Sequence, residues 1–244
     1  MDLYHTIATE YSTLFPSSPE KLHCIEDRLR RIAAVDILDI GCASGEFARQ
    51  LAHPERRITG IDLDEAMIDE AQQSASGDSS LRFIRAGIME FLQDSEADTW
   101  DALLCLGNTI VYLNGEEQLR VFMQHASRVL RPGGYLAVQL LNYANPEIGP
   151  GFVFPLLESP VLTMSRRYGT IETDKGYEFN TEVIEKESDK SIRDLHLHYP
   201  FLSTEVKAAA LAEGFSRAAV HGDYFDGTAG RDSFFHFLHI WKAT

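Results

Sequence analysis

Apolar positions along this chain alternate between two periods. Between residues 19 and 33 they fall at Leu22, Ile25, Leu29 and Ile32, the spacing of a helix with one buried face. Ser17 and Ser18, followed by Pro19 and Glu20, supply its start: a capping hydroxyl, then proline in the first turn. The whole stretch 1–33 reads as helical and amphipathic. At 35–40 the pattern becomes a short apolar run ending at Gly41, which marks a buried strand. Runs and periodic segments then alternate: helix 45–52, strand 57–62, helix 64–74, strand 81–86, strand 100–106, helix 116–130 and strand 135–141. Arg131-Pro132-Gly133-Gly134 reads as the stop of the long helix. Such alternation predicts an α/β fold, a doubly wound, mostly parallel sheet covered on both faces.

The rhythm breaks after Asn142. Prolines and glycines at 146, 149, 150, 151, 155 and 160 fill a loop. Three strands follow at 161–169, 177–186 and 191–199, with Asp174-Lys175-Gly176 and Ser188-Asp189-Lys190 as their turns. Leu195, Leu197 and Tyr199 alternate with Asp194, His196 and His198, which suggests an antiparallel sheet with the leucine face packed and the other wet. A helix returns at Ser203-Thr204-Glu205 and stops at Gly214, and strands at 216–223 and 233–241 close the chain. The organisation expected is an N-terminal helical lid (1–33), a Rossmann-like domain (34–145 and 200–244) and a small antiparallel β insertion (146–199) that covers an acceptor site.

Composition narrows the function classes. The 244 residues suit one α/β domain with an insertion, or at most two small domains, and 44 % hydrophobic content supports a sizeable core. Acidic residues outnumber Lys and Arg by 37 to 22, a formal charge of −15, which argues against nucleic acid as a partner. Three cysteines without regular spacing (Cys24, Cys42 and Cys105) fit a reducing compartment better than a disulfide framework. No basic-then-apolar leader opens the chain and no run suffices to span a membrane. The expectation is a cytoplasmic protein acting on a small molecule, with neither nucleic acid nor membrane as partner and with a homodimer left open.

The chemistry begins where the first strand ends, at Asp39-Ile40-Gly41-Cys42-Ala43-Ser44-Gly45-Glu46. A glycine turn between strand and helix lets a ligand approach the backbone at a helix N-terminus. Asp62, at the end of the second strand, is placed to accept hydrogen bonds from both hydroxyls of a ribose. A dinucleotide fingerprint wants a small residue five places after Gly41, but Glu46 stands there and would repel a pyrophosphate. A nicotinamide-dependent oxidoreductase is therefore disfavoured.

Residues 35–45 resemble the first motif of class I S-adenosylmethionine-dependent methyltransferases. Gly60-Ile61-Asp62-Leu63-Asp64-Glu65-Ala66-Met67 resembles their second motif, and Leu130-Arg131-Pro132-Gly133-Gly134 the segment before their fifth strand. The final strand pair matches the antiparallel seventh strand of that fold, so a seven-stranded sheet with an antiparallel last strand is expected. Cys105-Leu106-Gly107-Asn108-Thr109 and Leu141-Asn142-Tyr143 look like small-molecule members related to glycine and sarcosine N-methyltransferases. The resemblance implies S-adenosylmethionine as cofactor. It implies Gly41, Ala43 and Gly45 around the methionine part, Asp39 near the amino group and Asp62 on the ribose. Leu63 and Met67 would flank the adenine, with Gly87 and Ile88 at the ring; Tyr11 would lie near the sulfonium, and Leu106 is a further cofactor-binding candidate. Ala43 stands in place of a usual glycine, at little cost if its φ is negative. Ile88 stands where an aspartate often holds the adenine.

Methyl transfer needs alignment of a nucleophile and exclusion of water more than a triad. Asn108, Tyr112, Asn142 and Tyr143 follow the fourth and fifth strands, where the crevice of an open α/β sheet lies, and are the candidate catalytic residues. One of Arg166 and Arg167 is expected to face the pocket if the acceptor carries a carboxylate. His196 and His198 share a strand face, but two ligands without a clear third are a weak metal signal, and a surface or pocket-lining role is expected of them. The expected activity is N-methylation of a small amine, with O-methylation as the alternative and a non-catalytic S-adenosylmethionine sensor or scaffold as the rival of another class.

Overall fold

The computed structural model describes residues 3–173 and 176–244. Its N-terminal segment holds short helices α1 (Leu3–Ile7) and α2 (Tyr11–Leu14), followed by α3 (Pro19–Arg31). The cap of α3 is the expected one: Ser18 accepts from the Lys21 amide at 3.0 Å, and Pro19 opens the first turn. The core then runs β1 (Asp36–Ile40), α4 (Glu46–Leu51), β2 (Arg57–Asp62), α5 (Glu65–Ser74), β3 (Leu81–Arg85), α6 (Ile88–Asp94), β4 (Trp100–Cys105), α7 (Glu116–Val129) and β5 (Leu130–Leu141). The insertion contributes β6 (Leu157–Glu158), β7 (Leu162–Thr173), β8 (Gly176–Glu185) and β9 (Ser191–His198). The chain closes with α8 (Ser203–Ala212), β10 (Phe215–His221) and β11 (Phe235–Lys242).

The main sheet has seven strands in the order β10-β11-β5-β4-β1-β2-β3, with β11 antiparallel to both neighbours and the others parallel. The strand order reverses between β1 and β4, the switch point where open α/β sheets bind ligands. Two buried clusters cover its faces. One joins Leu38, Leu103 and Val138 to the apolar stripe of α7 (Leu119, Phe122, Met123, Ala126), and the other joins Ile37, Ile58 and Leu104 to Ile25 and Leu29 of α3.

The insertion is a separate four-stranded antiparallel sheet, β6-β7-β8-β9. It shares a core with the N-terminal segment, in which Leu162, Met164 and Val183 pack with Leu3, Ile7 and Leu14 and with Met67 of α5. The segment and the sheet thus cover the same end of the main sheet.

Several sequence expectations need correction. Helix α6, the 3₁₀ turn at Thr109–Tyr112 and the short β6 have no counterpart among the elements the pattern predicts. Strand β5 begins at Leu130, and Arg131–Gly134 forms an irregular stretch within it, with Gly133 left-handed, before regular pairing with β4 resumes at Tyr135. On β9 the alternation is as read but the faces are reversed. Leu195 and Leu197 are 51 % and 43 % exposed, whereas Asp194, His196 and His198 point inward. Of the turn expected at 174–176, Asp174 and Lys175 lie outside the described residues.

Candidate active site

The turn after β1 is held by main-chain bonds. The Gly41 and Cys42 amides donate to the Ile61 carbonyl at 2.8 and 3.0 Å, and the Gly45 amide to Cys42 at 3.0 Å. Gly41 and Gly45 are left-handed, at φ +71° and +73°. There is no room for side chains: a Cβ on Gly41 would lie 2.6 Å from Thr109, and one on Gly45 2.6 Å from the Phe83 ring. Ala43 has φ +47°, contrary to the negative value that would make its replacement of glycine cheap. Its amide is held in compensation, donating to Asp62 Oδ2 at 2.9 Å, while Asp62 Oδ1 accepts from the Asp64 amide at 3.0 Å. The Leu63 amide also bears on this carboxylate, so of its roughly four acceptor positions about one remains free for a ligand.

A cleft of about 1240 Å³ opens beside this turn. Asp62, Leu63, Met67, Gly87 and Ile88 line it, together with Gly41, Ala43 and Tyr11. Every residue expected at the ribose and adenine is therefore in one cavity. A second cavity, of about 520 Å³, lies under the insertion and takes in Asp39, Leu106 and Asn108. The two share Tyr4, Tyr11, Gly41, Ala43, Gly107, Tyr112, Asp194 and His196. Gly45 reaches neither; it turns the chain into α4, and Phe83 closes over it.

Asp39 is buried, and burial pushes its carboxyl up to about 7 against the pull of Lys21. Lys21 lies in the same cavity with its ammonium over the Phe47 ring, and burial lowers its pKa while Asp39 raises it. Opposite charges side by side suit the zwitterionic end of an amino acid.

The four catalytic candidates separate into two groups. Tyr112 stands where the cavities meet, its hydroxyl 3.2 Å from that of Tyr4. Asn108 lines the smaller cavity, but its side chain is engaged: Oδ1 accepts from the Leu141 amide at 2.9 Å, and Nδ2 donates to the Tyr143 hydroxyl at 3.2 Å. Tyr143 lies behind the cavity wall, 2.8 Å from the Tyr168 hydroxyl. Asn142 is a correction: it is 2 % exposed, lines neither cavity, and donates through Nδ2 to the carbonyls of Gly230, Arg231 and Ser233. It pins the loop before β11, which no local sequence pattern announces.

Strands β7, β8 and β9 form the far wall. Arg166, Thr181 and Asp194 are aligned across it, as are Phe179 and His196 one step along. Arg166, not Arg167, faces the cavity, with its guanidinium 5.1 Å from the Phe15 ring and 5.2 Å from Phe154. Among the described residues it has no carboxylate partner, and its buried Nε is unpaired. His196 Nε2 lies 2.9 Å from Asp194 Oδ2. His198 is 4 % exposed and stacks on Phe179 with ring centroids 4.2 Å apart; burial, then His196, lowers its pKa to about 3. Sequence reasoning missed Lys21, Tyr4 and Asp194, whose positions depend on how the N-terminal segment and β9 meet the turn.

One set of possible metal ligands comes together among the described residues, His221, Asp226 and His239. Arg28 already holds both oxygens of Asp226, so the set closes as a charge network. Among the described residues, no helix is long and apolar enough to cross a membrane.

Residues 37–134 match the family model of a methyltransferase domain. The fold is shared over 100 % of both chains, at TM-score 0.82 and 14 % identity, with an S-adenosylmethionine-dependent methyltransferase from Clostridium acetobutylicum. It is shared at TM-score 0.72 and 21 % identity, over 100 % of this chain and 99 % of the other, with an S-adenosylmethionine-bound amino pentose methyltransferase from Micromonospora echinaspora. A ubiquinone biosynthesis O-methyltransferase of Leptothrix cholodnii is 24 % identical over 157 residues, 61 % of this chain and 64 % of that protein. The chain spans less than two thirds of the first curated relatives it matches, 40 % and 64 % of their lengths.

Proposed function

From the match of residues 37–134 to a methyltransferase-domain family and the fold shared with S-adenosylmethionine-dependent methyltransferases, we propose that this chain transfers a methyl group from S-adenosylmethionine to a small molecule, with an amine nitrogen as the favoured nucleophile. The observation that carries the reading is the meeting of two cavities at Tyr4, Tyr11, Gly41, Ala43 and Tyr112. One has the groups a nucleoside needs; the other is walled by aromatic rings and a separate sheet. Asp62 would hold the ribose hydroxyls, Asp39 the ammonium and Lys21 the carboxylate, with Leu63, Met67 and the Gly87–Ile88 backbone at the adenine. When bound, S-adenosylmethionine supplies an electrophilic sulfonium methyl. The protein's own work is positioning and drying. Tyr4, Tyr11 and Tyr112 narrow the passage between the cavities, and His196 with Asp194 stands beside it to accept a proton from an acceptor amine.

A hydroxyl acceptor is the second reading, favoured by the O-methyltransferase relative; the His196–Asp194 pair serves it equally. Calorimetry with S-adenosylmethionine, S-adenosylhomocysteine and NAD tests the cleft. The first two are expected to bind and NAD not. Asp62→Ala should weaken S-adenosylmethionine by about 1.5–3 kcal/mol, the scale of charge-assisted hydrogen bonds. Unchanged affinity in a folded variant rejects the assignment. Transfer of labelled methyl to a panel of small amines and phenols separates an enzyme from a sensor.

A further inference from the structure

A hydrogen-bond chain crosses the wall of the smaller cavity, and its direction is set at one end. The Leu141 amide can only donate, so the Asn108 atom that accepts it at 2.9 Å is the carbonyl oxygen. The other Asn108 atom is then the NH₂ group, and it donates to the Tyr143 oxygen at 3.2 Å. Among the described residues, Tyr168 is the group left for the Tyr143 hydrogen, at 2.8 Å. The Tyr168 hydrogen passes in turn to His198 Nδ1 at 3.2 Å. An imidazole that accepts at Nδ1 carries its proton on Nε2. His198 Nε2 is buried, lines the cavity wall and has no hydrogen-bond partner. The opposite direction would strand the Tyr143 hydrogen.

We infer that Asn108 fixes His198 as a neutral N–H donor aimed into the smaller cavity, and that His198 and Arg166 together select acceptors bearing an anionic oxygen group, a carboxylate on a flat ring. Arg166 is the second observation and is independent of the chain. Its buried Nε is also unpaired, it lies on the same sheet face two strands away, and it has no carboxylate partner among the described residues. These two orphaned donors, beside a His196 Nε2 that faces only the Asp194 carboxylate, call for a ligand rich in acceptors, since a buried unmatched donor is costly. Phe15, Phe154 and Phe179 flank them and suit a planar ring. In this arrangement His198 recognises and does not take a proton, while Asn108, Tyr143 and Tyr168 are positioning residues. The substrate class rests on the methyltransferase reading; the direction of the chain does not.

Two measurements on the full chain test this. Long-range ¹H–¹⁵N NMR at neutral pH, with His198→Gln to assign the ring, should find His198 as the neutral Nε2–H tautomer. Asn108→Asp keeps an acceptor for the Leu141 amide but must accept from Tyr143, so the chain reverses and the tautomer should switch to Nδ1–H. A wild-type Nδ1–H tautomer or imidazolium overturns the inference, as does no switch in the folded variant. If Asn108→Asp does not fold, Tyr168→Phe should leave a mixture of tautomers, and an unchanged pure tautomer has the same overturning force. The second measurement titrates benzoate and benzamide into protein saturated with S-adenosylhomocysteine. Benzoate should bind at least about tenfold more tightly, and Arg166→Gln should abolish the difference. Equal affinities, or no binding of either, overturn the anion selection while leaving the methyltransferase reading intact. Failure of S-adenosylhomocysteine itself to bind would instead remove that reading and the substrate class with it, and the tautomer result would still decide the chain.

Discussion

The turn at residues 39–45 and the wall built by β7, β8 and β9 face the same pair of cavities but are made differently. The turn works through its main chain: amides fixed by the Ile61 carbonyl and Asp62, in conformations that glycine permits, with Phe83 and Thr109 packed where side chains would be. The wall works through side chains from three strands whose neighbours are up to 30 positions apart, such as Tyr168 and His198. A main-chain site tolerates little variation and suits an invariant ligand. A side-chain site can be rebuilt one residue at a time, which suits the partner that differs between enzymes.

The largest effect should follow from filling the turn. Gly45→Val puts a branched side chain at φ +73° and into the Phe83 ring. Left-handed strain and overpacking together should cost about 3–5 kcal/mol. Urea unfolding measures it, and a loss under about 1 kcal/mol would mean that the turn is not rigid. Next is Asn142→Ala. Removing one amide takes the donor from the Arg231 and Ser233 carbonyls near β11, while Gly230 keeps His236 Nε2, and should cost about 2–4 kcal/mol of stability. S-adenosylmethionine affinity should stay within about threefold, because Asn142 lines neither cavity. A large affinity loss at full stability would return Asn142 to the binding machinery.

A smaller effect is expected from pH. Burial raises the Asp39 carboxyl to about 7, so in the free protein it is largely protonated below that value. Pairing with an ammonium requires the ionised form. Affinity for S-adenosylmethionine should therefore rise with pH up to about 7, by at most about tenfold per unit, and then level off. For stability the sign is opposite: a raised carboxyl favours the fold below the unfolded value of 3.8, and the advantage is lost as pH climbs through about 7. Calorimetry from pH 5 to 8 checks the affinity slope, and Asp39→Asn should flatten it; a flat wild-type profile removes Asp39 from the ammonium site. The smallest effect tests the wall. Leu195→Ser and Leu197→Ser lie on its outer face and should change stability by less than about 0.5 kcal/mol. A loss of 2 kcal/mol or more in thermal unfolding would show that the leucine face is the packed one.

The cofactor half was readable because its signals are local. Strand, glycine turn, helix and Asp62 follow within one βαβ unit, and main-chain geometry there depends on near neighbours. Even so, the condition for a cheap Ala43 is not met: its φ is positive, against alanine's own preference, with its amide held by Asp62. At the sheet, Arg131-Pro132-Gly133-Gly134 does follow the end of the helix, at Val129, but it belongs to β5 as the irregular stretch between Leu130, paired with Trp100, and Tyr135, paired with Ala102, a placement that no window around it contains.

The amino-acid order by itself determined the alternation of elements, the glycine turn with its acidic partner, and the two-residue period of the inserted strands, because each is a property of contiguous residues. It did not determine which face of β9 turns inward. Alternation is symmetric with respect to the two faces, and the choice depends on what stands opposite. Here that is the aromatic cavity under α1 and α2, so Asp194, His196 and His198 are enclosed and the leucines face outward. Tertiary structure also decided that Asn108, Tyr143, Tyr168 and His198 form one chain, since hydrogen bonds between side chains up to 35 positions apart exist only once the strands that carry them are packed.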